Sequence, residues 1–73
     1  MTAIQRAGLQ RMLTILCAQQ CEVLIRNMPD GSKHVLVYRC GQCVAQGFAA
    51  GGELELALRA CYDNAIAHGA IVV

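Results

Sequence analysis

The sequence predicts an α+β domain of the order α-β-β-β-α, a three-stranded antiparallel meander with two helices packed on one face. Three observations carry that expectation. Apolar residues recur at helical spacing near both ends of the chain, over residues 3 to 20 and again over 53 to 68. Between them lie β-branched runs separated by two short turn signals, Met28-Pro29-Asp30-Gly31 and Gly41-Gln42. The registers that those two turns impose place valines from all three strands on a single face.

The first helix begins with Thr2-Ala3-Ile4-Gln5, the S/T-x-x-E/Q pattern of a capping box. Ile4, Leu9, Met12, Leu13, Ile15 and Leu16 share a broad apolar arc, and Arg6, Gln10, Arg11 and Thr14 fall opposite it. Gly8 costs about 1 kcal/mol relative to alanine in mid-helix. A close approach to the sheet would account for it. The helix is expected to end between Ala18 and Gln20.

Cys21 to Asn27 reads as the first strand, β-branched and bounded by a turn. In Met28-Pro29-Asp30-Gly31, proline presets φ at the second turn position and glycine accepts a left-handed conformation, which gives a type I turn with a G1 bulge. That turn sets Met28 opposite Ser32, Ile25 opposite Val35 and Val23 opposite Val37. Lys33 to Phe48 then folds over Gly41-Gln42. A two-residue type II′ loop there pairs Cys40 with Cys43, Arg39 with Val44, Val37 with Gln46 and Val35 with Phe48. One face then carries Val23, Ile25, Val35, Val37, Val44 and Phe48, with Arg39 and Gln46 as its polar exceptions. The other carries Glu22, Leu24, Arg26, His34, Leu36, Tyr38, Cys40, Cys43 and Ala45. Its middle is more apolar than a solvated sheet face requires.

After the connector Ala49-Ala50-Gly51-Gly52, the second helix runs from Glu53 to His68, with Glu53 and Glu55 placed favourably near the positive end of the helix dipole. Leu54, Ala57, Leu58, Cys61 and Ala65 form its buried stripe, and Leu56 and Ile66 lie off it. Gly69 is expected at the left-handed C′ position. The apolar tail Ala70 to Val73 is free to dock on the core, to add a strand or to reach a partner chain.

Seventy-three residues make one domain, 1–73, near the lower limit for folding without staples. A hydrophobic content of 56% is high for so small a chain, so some apolar surface is expected to stay exposed or to be covered by a partner. A homodimer or a protein-binding face follows. The formal charge of +1 supplies neither the basic stripe of a nucleic-acid binder nor the acidity of a nucleic-acid mimic. The apolar run Met12 to Leu16 is broken by Thr14 and lacks a small-residue cleavage site, unlike a signal peptide. No apolar run approaches the length of about 18 residues needed to span a membrane. The expected compartment is the cytoplasm, and the odd count of five cysteines favours reduced thiols or metal ligands over disulfides.

The α-β-β-β-α order, with the third strand running directly into the second helix, resembles the double-stranded-RNA-binding domain. The resemblance covers most of the chain and is one of topology and spacing. It implies the fold, and it raises nucleic-acid binding as one alternative function. Lys33 and His34 approximate that family's basic, histidine-bearing loop. At the start of the second helix, where the family places lysines, this chain has Glu53-Leu54-Glu55. A fold likeness of this kind carries little about function.

Cys40-Gly41-Gln42-Cys43 has redox CxxC spacing, but redox motifs put the reactive thiolate at a helix N-terminus and this one lies at a hairpin turn. Zinc suits it better. Cys17, Cys21, Cys40 and Cys43 have the spacing of a four-thiolate module, although the register puts Cys21 on the valine face and Cys40 and Cys43 on the other. Two chains each contributing Cys40 and Cys43 would avoid that conflict. The bland alternative for all five cysteines is a set of small semi-buried thiols. His34 and His68 have no evident acid or base partner, and no catalytic set or phosphate-binding loop is visible, so no catalytic residues are assigned.

The sequence thus favours a non-enzymatic interaction module without a cofactor, using Leu24, Leu36, Tyr38 and Ala45 against a larger protein. Free-standing domains of this size often act as inhibitors or regulators that occlude a partner, as phage-encoded anti-CRISPR proteins do. A small zinc domain is the second reading. Elemental analysis of protein purified without added chelator separates the two: a shared site holds one zinc per two chains, and folded protein free of zinc removes that reading.

Overall fold

The computed structural model describes residues 2–73. Helix α1 (Ala3–Ala18) leads into strands β1 (Glu22–Asn27), β2 (Lys33–Arg39) and β3 (Gln42–Ala49), and helix α2 (Leu54–Ala67) follows. The sheet is antiparallel in the order β1-β2-β3, so the architecture is the expected α-β-β-β-α. Both helices cover the face that carries Val35 and Val37, which are buried with Met12, Leu16, Leu58 and Cys61.

Helix α1 starts where the capping box predicts. Gln5 N–H donates to Thr2 Oγ1 at 3.1 Å, and Thr2 N–H donates to Gln5 Oε1 at 2.9 Å. Its C-terminus closes as a Schellman turn: Gln20 takes φ 61°, and Cys21 N–H reaches back to the Leu16 carbonyl at 3.0 Å. Two expectations for this helix need correction. Ile4 is 85% exposed, because the helix meets the core through Met12 and Leu16, flanked by Leu9, Leu13 and Ile15, beyond the first turn. Gly8 faces Glu55 and Arg59 of α2 and not the sheet.

The first hairpin has the expected geometry. Gly31 adopts φ 87° and donates to the Met28 carbonyl, Met28 N–H donates to Ser32 O at 2.9 Å, and Ile25 and Val23 stand opposite Val35 and Val37. Ser32 is buried, and Asp30 Oδ1 accepts from both its N–H and its hydroxyl. Those bonds, the hydroxyl's foremost, hold the Asp30 carboxyl below its ordinary pKa.

The second hairpin departs from expectation in two places. Its loop residues are Cys40 and Gly41, not Gly41 and Gln42. Both have positive φ (54° and 77°) and Arg39 pairs with Gln42, which is the type I′ pattern. The register then shifts between Val37 and Tyr38: Tyr38 pairs with Cys43 but Val37 pairs with Ala45, leaving Val44 as the extra residue of a bulge. Beyond the bulge each β3 side chain lies on the face opposite to the one expected. Val35 stands opposite Gly47, and Phe48 stands opposite His34 on the far side of the sheet.

The cause is the closeness of α2. A Cβ at Gly47 would lie 2.3 Å from the Cys61 nitrogen and 2.4 Å from the Ala57 carbonyl oxygen, so only glycine fits there. Ala45 and Ala49 flank it on the same face, and α2 answers with Ala57, Cys61 and Ala65, all buried. No room exists on that face for the Phe48 ring. The α2 stripe otherwise follows expectation, with Tyr62 joining it and Leu56 and Ile66 exposed. Gly69 takes the C′ position at φ 71°. The tail docks without forming a strand. Ile71 enters the core, and the Gln19 amide side chain pairs with the Val72 backbone through bonds of 2.9 and 2.7 Å.

Replacing Gly47 by alanine should therefore destabilise the domain by about 3 kcal/mol, because the added methyl meets backbone that cannot rotate away. Phe48→Ala should cost about 1 kcal/mol or less, as for an exposed residue. Denaturant midpoints measured on the two variants check both values, and the reverse order would restore the simpler register.

Candidate protein-interaction face

Alternation along the strands puts Glu22, Leu24 and Arg26 of β1, His34, Leu36 and Tyr38 of β2, and Gln46 and Phe48 of β3 on the face away from the helices. The register arranges them in rows. Leu24, Leu36 and Gln46 cross the middle, Arg26, His34 and Phe48 form one end, and Glu22 and Tyr38 lie toward the other. Leu36 is 9% exposed, sheltered by its neighbours, while Leu24 and Phe48 are 47% and 55% exposed. Tyr38 is half-buried. His34 fixes the Phe48 end: its ring lies edge-on to Phe48 at 6.4 Å between centroids, and its Nε2 is 3.0 Å from Gln46 Oε1.

Of the four residues expected to form this face, Leu24, Leu36 and Tyr38 are on it. Ala45 is not. It is 4% exposed and lies under α2, because the Val44 bulge reverses the β3 alternation. Phe48 is the residue that reading the turn alone misses. The signal that finds it is the small-residue alternation Ala45-x-Gly47-x-Ala49, which fits a face pressed on a helix and sends Gln46 and Phe48 the other way.

The thiols are dispersed. All five cysteines are free; Cys17, Cys40 and Cys43 are exposed, and Cys21 and Cys61 are buried. Cys21 sits in the core with Arg39 Nη2 3.6 Å from its sulfur, whereas Cys17 faces solvent on α1. Among the described residues, no three His, Cys, Asp or Glu side chains converge on a point that could hold a metal. The set Cys17, Cys21, Cys40 and Cys43 is thus not assembled within one chain. Burial pushes the Cys61 thiol up to about 11, with a smaller contribution from Cys43.

Cys43, Asn64 and His68 line one open groove of about 270 Å³ between β3 and α2. Cys43 Sγ donates to the Ala45 carbonyl at 3.5 Å, and Asn64 Oδ1 accepts from Gln46 N–H at 3.4 Å. At the start of α2, Glu55 pairs with Arg59 at 3.8 Å, so acidic groups occupy the place where the RNA-binding family carries lysines.

Comparison with protein-family models, with curated proteins and with solved structures finds no match to this chain. No helix among the described residues is long and apolar enough to cross a membrane.

The burial pattern predicts a simple reactivity profile. Native reduced protein treated with an alkylating reagent should take up label at Cys17, Cys40 and Cys43, and Cys21 and Cys61 should react only after denaturation. Peptide mass spectrometry of native and unfolded samples checks it.

Proposed function

We propose that this chain is a non-enzymatic interaction module, an inhibitor or regulator that occludes a larger protein through the open face of its sheet. The observation that carries the reading is that face itself. Both helices lie on the opposite side, and the uncovered side presents Phe48 and Leu24 around the sheltered Leu36, with Tyr38 beside them. Phe48 and Tyr38 supply large contact area at low entropic cost, since each has only two side-chain torsions to fix. Glu22, Arg26, His34 and Gln46 would form the polar rim that most interfaces carry around an apolar centre. Binding by such a surface needs no reaction step, and steric occlusion is enough for regulation.

The experiment is a pull-down from native lysate with the wild-type chain, Phe48→Asp and Tyr38→Glu as parallel baits, followed by titration of the recovered protein. A partner bound by the wild type should be lost, by about a hundredfold or more in affinity, when either anchor becomes a buried unpaired charge. Retention by both variants, each verified as folded by its melting transition, would place the binding surface elsewhere.

A further inference from the structure

The two outer strands of the sheet are protected very differently. At the β3 edge, the Val44 bulge breaks the regular ladder and Asn64 Oδ1 from α2 occupies the Gln46 N–H. Strand β1 has neither device. It contains no proline, lysine or bulge, five of its six residues are exposed, and among the described residues its backbone bonds only to β2. Ile25 is 42% exposed although it points to the helix side, and Leu24, pointing the other way, is 47% exposed. A partner covering only the open face would leave Ile25 wet. A strand added beside β1 shelters both.

The sequence of β1 states which strand fits. Met28 exchanges hydrogen bonds with the β2 side of its hairpin, so alternation turns the free amides and carbonyls of Val23 and Ile25 outward. Glu22-Val23-Leu24-Ile25-Arg26 is symmetric in shape and complementary in charge about Leu24. Laid antiparallel beside a second copy of itself, it sets Glu22 against Arg26 twice, Val23 against Ile25 twice and Leu24 against Leu24. Val23 and Ile25 then form hydrogen-bonded pairs, and the charged and leucine pairs occupy the closer non-hydrogen-bonded positions. Sliding by two residues in either direction loses every Glu–Arg pair.

We propose that the chain forms an isologous dimer by antiparallel pairing of β1 with β1 centred on Leu24, joining two three-stranded sheets into one of six strands. The open faces become continuous across the dimer, which doubles the apolar surface. The pairing uses the strand edge, so it stands independently of the partner reading above.

The test is sedimentation equilibrium in reductant over a wide range of chain concentration, using wild type, Glu22→Arg, Arg26→Glu, and an equimolar mixture of the two variants. Each single reversal turns two attractions into two repulsions and should raise the dimer dissociation constant by about tenfold or more. The mixture should recover wild-type association, because only the heterodimer restores both Glu–Arg pairs. Hydrogen exchange supplies the geometry: Val23 and Ile25 amides should exchange fast in dilute wild type and slowly in concentrated wild type. A wild type that stays monomeric at every concentration, single variants that associate normally, a mixture that fails to recover, or a dimer leaving those amides unprotected would each overturn the proposal. Phe48→Asp should leave association intact, so loss of the edge and loss of the open face give separate results.

Discussion

The close approach of α2 to β3 at Gly47 is the contact on which the rest of the structure depends. Backbone atoms of Ala57 and Cys61 occupy the space where any side chain on residue 47 would begin. Packing at that distance brings Ala45, Ala49, Ala57 and Ala65 into contact range and makes a dense seam from small residues. It explains how a 73-residue chain with a single phenylalanine builds a core without burying that ring. Leu58, Val35, Val37 and Leu16 then fill the volume left beside the seam.

The seam also decides what the surface is. Once β3 must turn its small residues toward α2, the bulge at Val44 and the left-handed Cys40-Gly41 loop are the adjustments that let the hairpin close in that phase. Phe48 emerges on the far face as a consequence, across from His34 and diagonal to Leu36. With α2 drawn to β3, β1 at the opposite side of the sheet is left poorly covered, as the exposure of both Leu24 and Ile25 shows. Tight packing at one edge and a bare strand at the other are two results of one placement.

The cysteines, which give the sequence its only motif of chemical appearance, have unremarkable surroundings. Cys61 belongs to the seam, where burial keeps its thiol protonated. Cys21 closes the end of α1 beneath Arg39. Cys40 holds a positive φ of 54° in the turn, a conformation that glycine or asparagine would adopt more easily.

By itself the sequence determined the elements and the first hairpin. The capping box at Thr2 and Gln5, the Pro29-Asp30-Gly31 turn and the Gly69 cap are local devices, whose geometry follows from residues within a few positions of one another. The β1–β2 register and three of the four expected face residues follow from those alone. The β2–β3 register does not, because Gly41 permits more than one two-residue loop and the choice falls to α2, which arrives later in the chain. Large apolar side chains usually mark the buried face, and by that rule Phe48 belongs inside and Ala45 outside. Only the tertiary contact at Gly47 reverses them, since a backbone-to-backbone approach rewards the smallest residues and excludes the largest.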